Sequence, residues 1–428
     1  MLTREENELL CRVGPNVPMG RMLRRYWLPA IMSDELDPEG KPKRVRLLGE
    51  DLVAFRDKNG DVGLLEESCP HRGASLAIAR NEDCILQCLY HGWKIDATGT
   101  VRETPSEPQD STFAQRVRAV AYPTHEAGGL VWTYMGPVDA QPPFMNFEWT
   151  TFPQPQRLIF KARTECNWVQ AMEGALDTAH TPLLHGNAIT PGAVTLTTYK
   201  SDLKIDRPSN DTRPRLHVED TPYGLKYAAV RTPLVDPETT QYVRVTQFIA
   251  PCYVTFPAPA GFTYMQLFVP IDDCNTMFYF AQVSCERPFD PDQIEKRRYR
   301  AGFREGIDID ADFRRAQRRE NDWLQDRASM RDPKNGNFSG IFGVQAQDMA
   351  IQESMGPIYD RSKEHLGASD AALIRMRRRL IDGVRAFERG EPALGLAERI
   401  PYELVRSEEK LIPIDAPWQT VGALAEVS

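Results

Sequence analysis

Four residues between positions 69 and 91 carry the clearest chemistry in this chain. Cys69 and His71 form a Cys-x-His pair, and after sixteen intervening residues Cys88 and His91 form a Cys-x-x-His pair. Two thiolates and two imidazoles on short loops can converge on one centre. That donor set suits a 2Fe–2S cluster in which two His replace two Cys on one iron, raising its potential above that of an all-cysteine cluster. It also suits a tetrahedral structural zinc. Zinc fingers usually put their paired His on a helix, whereas here each His shares a loop with a Cys between strand-like runs. Each half is expected at the tip of a β-hairpin. Cys84 lies between the pairs but outside their spacing, and reads as a buried thiol.

A second constellation is NWVQAMEGALDTAHTPLLH, residues 167–185. Glu173, Asp177 and His180 lie four and three apart, the spacing of one helical face. Pro182 predicts the end of that helix, with His185 on the exit loop. Two His set this way can hold one iron from one side and leave the opposite positions open. Such a site needs a third, carboxylate ligand. Taken alone, the segment also fits a helix with a wet polar face. Carboxylates available later in the chain are Asp322, Asp326, Asp348, Glu353 and Asp360.

The elements that must position these groups fall into two kinds. Residues 1–25 predict one or two short helices, broken at Gly14-Pro15. From Arg44 the runs become short and alternating, with turn signals at 58–61 and 96–99, which predicts hairpins and an all-β module. A Pro-rich connector at 136–144 marks a boundary. After it come a strand at 157–164, the helix of the second constellation and strand-like runs within 195–290. Charged helical stretches follow at 314–330, 344–355 and 371–390. An antiparallel sheet with helices before and after it is α+β. The expected division is an N-terminal helical segment (1–39), a β domain (40–136) and a catalytic domain (137–428).

With Pro70, Gly73 and Gly92-Trp93 in its loops, the first constellation resembles the Rieske iron–sulfur family. The string Asn-x-x-Gln-x-x-Glu-x-x-x-Asp-x-x-His-x4-His resembles the iron motif of ring-hydroxylating oxygenase catalytic subunits, and the resemblance covers nearly the whole chain. It implies an all-β Rieske domain followed by an α+β, helix-grip (START-like) catalytic domain. It implies Cys69, His71, Cys88 and His91 as cluster ligands, and His180 and His185 as iron ligands. Asp177 would bridge an iron-ligand His to a cluster His, and Asn167 would lie near the iron. Asp348, in QAQDMAIQES, fits the third ligand, with Gln347 standing where Glu is common. Further implications are one 2Fe–2S cluster and one mononuclear Fe(II) per chain, O2 as co-substrate, and a head-to-tail homotrimer or stacked-trimer hexamer. The chain has no flavin or dinucleotide fingerprint. Electrons from NAD(P)H are therefore expected through a separate reductase with flavin and a plant-type 2Fe–2S centre.

The YWLP segment at 26–29 and the charged C-terminal extension resemble the phthalate dioxygenase branch, whose members have one type of subunit and act on aromatic acids. This implies cis-dihydroxylation of an aromatic carboxylate, phthalate at its 4,5-position first. A Rieske monooxygenase or O-demethylase would share every motif. An aromatic dicarboxylate needs cationic donors, preferably the planar fork of Arg. Arg244, alternating with Val243 and Val245, and Arg207, before Pro208, are candidates; each also fits a solvated strand arginine. Two other classes remain open: a Rieske electron carrier with two irons per chain instead of three, and a colourless zinc-stabilised binding module.

Composition narrows the partners. The 428 residues suggest two or three domains of about 150 residues each. Net charge is −8, from 52 basic and 60 acidic residues, without long like-charge runs, which argues against nucleic acid. No run approaches the roughly 20 apolar residues of a membrane span. The charged start, MLTREENELLCRVG, lacks a signal-peptide core. A cytoplasmic protein is expected, with its eight Cys as thiols or metal ligands instead of disulfides.

Overall fold

The structure is a computed structural model that describes residues 1–186, 189–191, 205–259, 261–331 and 337–422. It divides into two compact units, Val13–Met145 and Met1–Arg12 with Asn146–Ser428. The expected separate segment 1–39 is therefore split. Helix α1 (Arg4–Cys11) opens with a reciprocal Thr3–Glu6 capping box and packs on α8 (Ala371–Glu388) of the second unit. Helix α2 (Pro18–Leu23) belongs to the first.

The first unit holds ten strands. They are β1 (Trp27–Met32), β2 (Lys43–Leu47), β3 (Glu50–Arg56), β4 (Val62–Glu66) and β5 (Arg80–Glu82). Then come β6 (Ile85–Gln87), β7 (Lys94–Asp96), β8 (Val101–Glu103), β9 (Thr124–Ala127) and β10 (Leu130–Tyr134). They form three antiparallel sheets, β1-β10-β9, β2-β3-β4 and β5-β6-β7-β8. Both predicted hairpins form, each pinned by an aspartate at its first corner. Asp57 Oδ1 accepts from the N–H groups of Asn59 and Asp61, and Asp96 Oδ1 from those of Thr98 and Thr100. Cys84 is not a buried thiol. It is half-buried in the β5–β6 turn, where Asp83 and Cys84 both take left-handed backbone (φ +52° and +63°). A two-residue hairpin turn of that kind projects its side chains away from the core.

The second unit is built on one antiparallel sheet in the order β11-β19-β18-β17-β16-β15-β14, with β20 (Glu409–Pro413) pairing beside β16. Its members are β11 (Arg157–Thr164), β14 (Arg215–Thr221), β15 (Gly224–Arg231), β16 (Thr240–Ile249), β17 (Tyr253–Thr255), β18 (Phe262–Asp272) and β19 (Asn275–Ser284). A parallel pair, β12 (Ile189–Pro191) and β13 (Ile205–Arg207), stands apart from it. A single turn, α3 (Glu148–Thr151), precedes the sheet. Helix α4 (Trp168–Leu176) packs on β16–β19, and α8 lies on β14 and β15.

One expected helix is absent and one helix was not expected. Residues 314–330 form no α-helix, only 3-10 turns at Arg319–Leu324 and Ser329–Arg331. Arg315 and the indole N–H of Trp323 are both drawn to buried Glu353 (2.5 and 2.8 Å), and Asp322, Trp323 and Leu324 turn left-handed. These tertiary anchors outweigh local helical composition. Conversely, α6 (Pro291–Ala301) was unanticipated, although its signals are in the chain. Asp290 and Gln293 make a capping box, Pro291 opens the helix, and left-handed Gly302 closes it.

Candidate active site

The two Cys/His loops close by the same backbone device. Cys69 N–H donates to Ala74 O (2.8 Å) and Gly73 N–H to Cys69 O (2.9 Å). In the second loop Cys88 N–H donates to Trp93 O (2.9 Å) and Gly92 N–H to Cys88 O (3.0 Å). Each closure needs a left-handed residue four after the Cys, and Gly73 (φ +73°) and Gly92 (φ +71°) provide it. Only the second loop is a hairpin tip, between β6 and β7. The first joins β4 to β5, strands of different sheets, and is closed by a Ser68–Ser75 bridge.

His71 and His91 face each other with ring centroids 4.5 Å apart, and Trp93 stacks on His71 at 4.7 Å and 3°. Both thiols are buried. Burial pushes the Cys69 thiol up to about 11, while the N–H groups of His71 and Arg72 pull it back. Those N–H groups are ready donors to a bound sulfur. His91 Nδ1 is buried with no hydrogen-bond partner among the described residues, as a nitrogen kept for a metal would be. The four side chains fit a cluster with two sulfur and two nitrogen ligands.

The second constellation folds differently from its helical spacing. Helix α4 stops at Leu176, and Asp177 is extended (φ −85°, ψ 112°), its Oδ1 accepting from Ala179 N–H at 2.7 Å. Such a local side-chain bond competes with continuation of a helix. His180 is then the N-cap of a short new helix, α5 (Thr181–Leu184), so Pro182 opens a helix where it was expected to end one. His185 caps its far end. Glu173, Asp177 and His180 therefore do not share one helical face. Glu173 instead sits half-buried between the buried Arg377 (2.6 Å) and Arg361 (3.1 Å). Burial pushes its carboxyl up, but the two guanidiniums outweigh that and hold it below its ordinary value.

His180 Nε2 and His185 Nε2 lie 3.2 Å apart. Asp348 Oδ1, on α7 (Val344–Ser354), is 3.4 Å from the first and 3.0 Å from the second. All three donor atoms lie within 4.8 Å of one another. The other nitrogen of each ring is engaged elsewhere, His180 Nδ1 with Asp177 Oδ2 (3.2 Å) and His185 Nδ1 with Gln347 Oε1 (2.7 Å). Burial pushes the Asp348 carboxyl up, yet His185 and His180 hold it well below the usual carboxylate range. Burial likewise opposes charge on His180, while Asp177 and Asp348 push it up to about 9. The pocket is one that stabilises a cation. Two imidazoles and one carboxylate on one side fit non-haem Fe(II).

Asp348 reaches the His pair because α4 and α7 are laced together. Gln170 Nε2 donates to Gln352 O and Gly356 O (both 2.8 Å), and Gln352 Nε2 donates back to Ala171 O (3.1 Å). Gly174 permits this approach, since a Cβ there would come within 2.3 Å of Gln352 Nε2. The other carboxylates considered lie elsewhere. Glu353 serves Arg315 and Trp323, Asp360 caps a 3-10 turn, and Asp322 and Asp326 belong to the turns at 319–331. Asn167 also departs from expectation. Its amide caps α4 through Val169 N–H (3.2 Å) and donates to Cys11 O (2.9 Å) and Asp273 O (2.7 Å), so its hydrogen bonds go to backbone.

A cavity of about 100 Å³ adjoins α7 and is lined by Arg207, Arg244, Arg297, Arg300 and the rings of Phe256 and Phe280. Thus the structure brings Arg207 and Arg244 together and adds two arginines that sequence reasoning missed. Their signal was the i,i+3 spacing within PDQIEKRRYRA, masked by the surrounding charge. Burial first, then the Arg244 charge, pushes Arg207 down to about 10. Glu409 lines the cavity too, 3.6 Å from Arg244 Nε and accepting from Tyr242 OH at 2.5 Å. Gln345 borders both this cavity and a small pocket beside Asp348. A step of three residues along α7, roughly 4.5 Å of rise, separates Gln345 from Asp348. A larger depression of about 460 Å³ opens on Asp177 and His180.

An iron–sulfur loop pair in one unit and a two-His, one-carboxylate pocket in the other define a two-centre non-haem iron oxygenase. Residues 26–122 match the family model described as Rieske [2Fe-2S] domain, and residues 133–428 match that described as LigXa C-terminal domain like. The phthalate 4,5-dioxygenase oxygenase subunit of Pseudomonas putida is 44% identical over 426 residues, covering 99% of this chain and 95% of that one. The 3-chlorobenzoate-3,4-dioxygenase oxygenase subunit of Comamonas testosteroni is 34% identical over 98% of each. The solved terminal oxygenase of carbazole 1,9a-dioxygenase from Nocardioides aromaticivorans IC177 is similar in fold. It has a TM-score of 0.54 at 18% identity over 91% of this chain and 97% of that one.

This chain belongs to the Rieske oxygenase family with a LigXa-like C-terminal domain, the terminal oxygenases of aromatic ring-hydroxylating and demethylating systems. It carries a 2Fe–2S Rieske cluster and a mononuclear non-haem iron. Among the described residues no helix is long and apolar enough to cross a membrane.

Proposed function

We propose that this chain cis-dihydroxylates an aromatic dicarboxylate, phthalate at its 4,5-position first. Electrons would come from NAD(P)H through a separate reductase bearing flavin and a plant-type 2Fe–2S centre. The observation that carries the proposal is the arginine cavity beside α7, with four guanidiniums against one carboxylate, Glu409. Guanidinium forks bind carboxylates in pairs of parallel hydrogen bonds. Arg207 and Arg244 would take one carboxylate of the substrate. Arg297, braced by Tyr264 OH (2.9 Å) and Gln282 Oε1 (2.6 Å), would take the other with Arg300. Phe256 and Phe280, in contact with each other (ring centroids 5.8 Å), would form one apolar wall against the ring and exclude water.

Cys69, His71, Cys88 and His91 are the proposed cluster ligands, and His180, His185 and Asp348 the proposed iron ligands. When bound, the iron supplies oxygen activation with electrons relayed from the cluster. Asp177 orients His180 through Nδ1 and offers its remaining lone pairs outward. Exposed Leu89 and Tyr90 beside His91, and the depression at Asp177 and His180, suit a contact between neighbouring subunits of a head-to-tail trimer, alone or stacked as a hexamer. In that contact Asp177 would meet His91 of the next subunit.

Product analysis with phthalate, related aromatic acids and a surrogate reductase tests the proposal. The expected product is a cis-4,5-dihydrodiol, with apparent KM raised by Arg207→Ala and by Arg244→Ala. A phenol, or formaldehyde from a methoxylated acid, would assign monooxygenation or O-demethylation instead.

A further inference from the structure

Gln347 precedes Asp348 on α7 and is almost fully buried (1% exposed). An amide can face either way, and its neighbours decide which. Its Nε2 donates to Ile341 O (2.9 Å) and lies 3.3 Å from Asn337 Oδ1, both acceptors. The oxygen must therefore face His185 Nδ1, at 2.7 Å. A carbonyl oxygen only accepts, so Nδ1 carries a proton, and in the neutral ring that a metal ligand must be, Nε2 keeps its lone pair. That lone pair meets Asp348 Oδ1 at 3.0 Å and lies 3.2 Å from His180 Nε2. Lone pairs so close repel one another unless they share a cation.

Resting on the iron-ligand reading above, we propose that Gln347 is a positioning residue for the iron: its side-chain oxygen fixes the tautomer and ring orientation of His185. The two imidazoles are thereby set by unlike partners. His180 is backed by a charged carboxylate, Asp177, and His185 by a neutral amide held from the 337–341 turn. The neutral partner adds no second negative charge behind the ring.

The test is Fe(II) affinity of the full chain, measured by competition with a chelator, with cluster absorbance and thermal unfolding recorded on the same samples. Gln347→Leu keeps the volume but removes the acceptor, and should weaken Fe(II) binding about 10–100-fold, the usual loss when an outer partner of a ligating His is removed. Gln347→Glu keeps an oxygen toward Nδ1 but loses the donor to Ile341 O, and should bind Fe(II) within a few-fold of the unchanged chain. Cluster absorbance should stay the same in both. Unchanged affinity in Gln347→Leu would overturn the inference. So would an equal loss in Gln347→Glu, because the residue would then act through the 337–341 turn alone. If Gln347→Leu fails to fold, Gln347→Glu decides by itself, and a tenfold loss in it counts against the proposal. Asp348→Ala serves as the reference: if it retains Fe(II), the ligand reading itself fails, whatever Gln347 does.

Discussion

The cluster loops and the iron pocket both gather donors to a point, but over very different lengths of chain. Cys69 and His91 lie within one short stretch, and each loop closes on its own backbone through a left-handed glycine. His180 and His185 flank a four-residue helix, while Asp348 arrives from 163 positions further on. Its place depends on the Gln170–Gln352 lacing of α4 and α7. It depends also on Glu173, which ties α4 to Arg377 on α8 and to Arg361. Arg361 in turn reaches Asn7 Oδ1 on α1 at 3.0 Å. Locally closed loops should therefore tolerate damage elsewhere, whereas the iron pocket should register changes that touch no ligand.

The largest effect is expected from Asp348→Ala. Metal analysis should find the mononuclear iron lost and turnover abolished, with the Rieske absorption and its rhombic signal intact. If the cluster is lost as well, the two centres are not independently built.

Next comes complementation. Cys69→Ser should bleach the cluster and Asp348→Ala should remove the iron, each giving an inactive protein. Mixed oligomers of the two should recover part of the turnover if electrons pass between subunits. No recovery in oligomers shown to be mixed would mean that each chain works alone.

Glu173→Ala probes the long-range side of the comparison. It leaves Arg361 and Arg377 buried with Glu364 as their remaining carboxylate, which pairs with Arg377 at 2.5 Å. Removing one partner of a buried ion network costs about 3–5 kcal/mol. Chemical unfolding followed by tryptophan fluorescence should show that loss in the second unit, while the cluster signal melts as before.

The smallest expected change is that of Gln170→Leu, which cuts the lacing and no ligand. Fe(II) affinity should fall several-fold with unaltered cluster absorbance. An unchanged affinity would show that α7 is held by its remaining contacts.

The same contrast governs what could be read in advance. Spacing and residue type were enough to pair each Cys with its His, because a Cys, a His and a Gly a few positions apart close a turn by themselves, but not to tell that the first loop joins two sheets. The hairpins at 57–61 and 96–99 were legible for the same reason, since an Asp at the corner bonds its own neighbours. The helical run at 167–180 misled, because Asp177 bonds Ala179 N–H and ends α4 early, a choice that periodicity does not record. Residues 314–330 misled as well, since Glu353 draws Arg315 and Trp323 into turns.

By itself, then, the sequence determined the order of the two units, the two Cys/His pairs with the hairpin tip that carries the second, and the residue types needed for an iron pocket. Only the tertiary structure decided which of five carboxylates meets the two His, that Asn167 is spent on capping α4, and that Arg297 and Arg300 join Arg207 and Arg244 around one cavity. A turn is closed by bonds between near neighbours, so its energy is written in a few adjacent residues. A pocket built from α4, α5 and α7 depends on how separate helices pack, and that is settled by burial and buried hydrogen bonds summed over the whole unit.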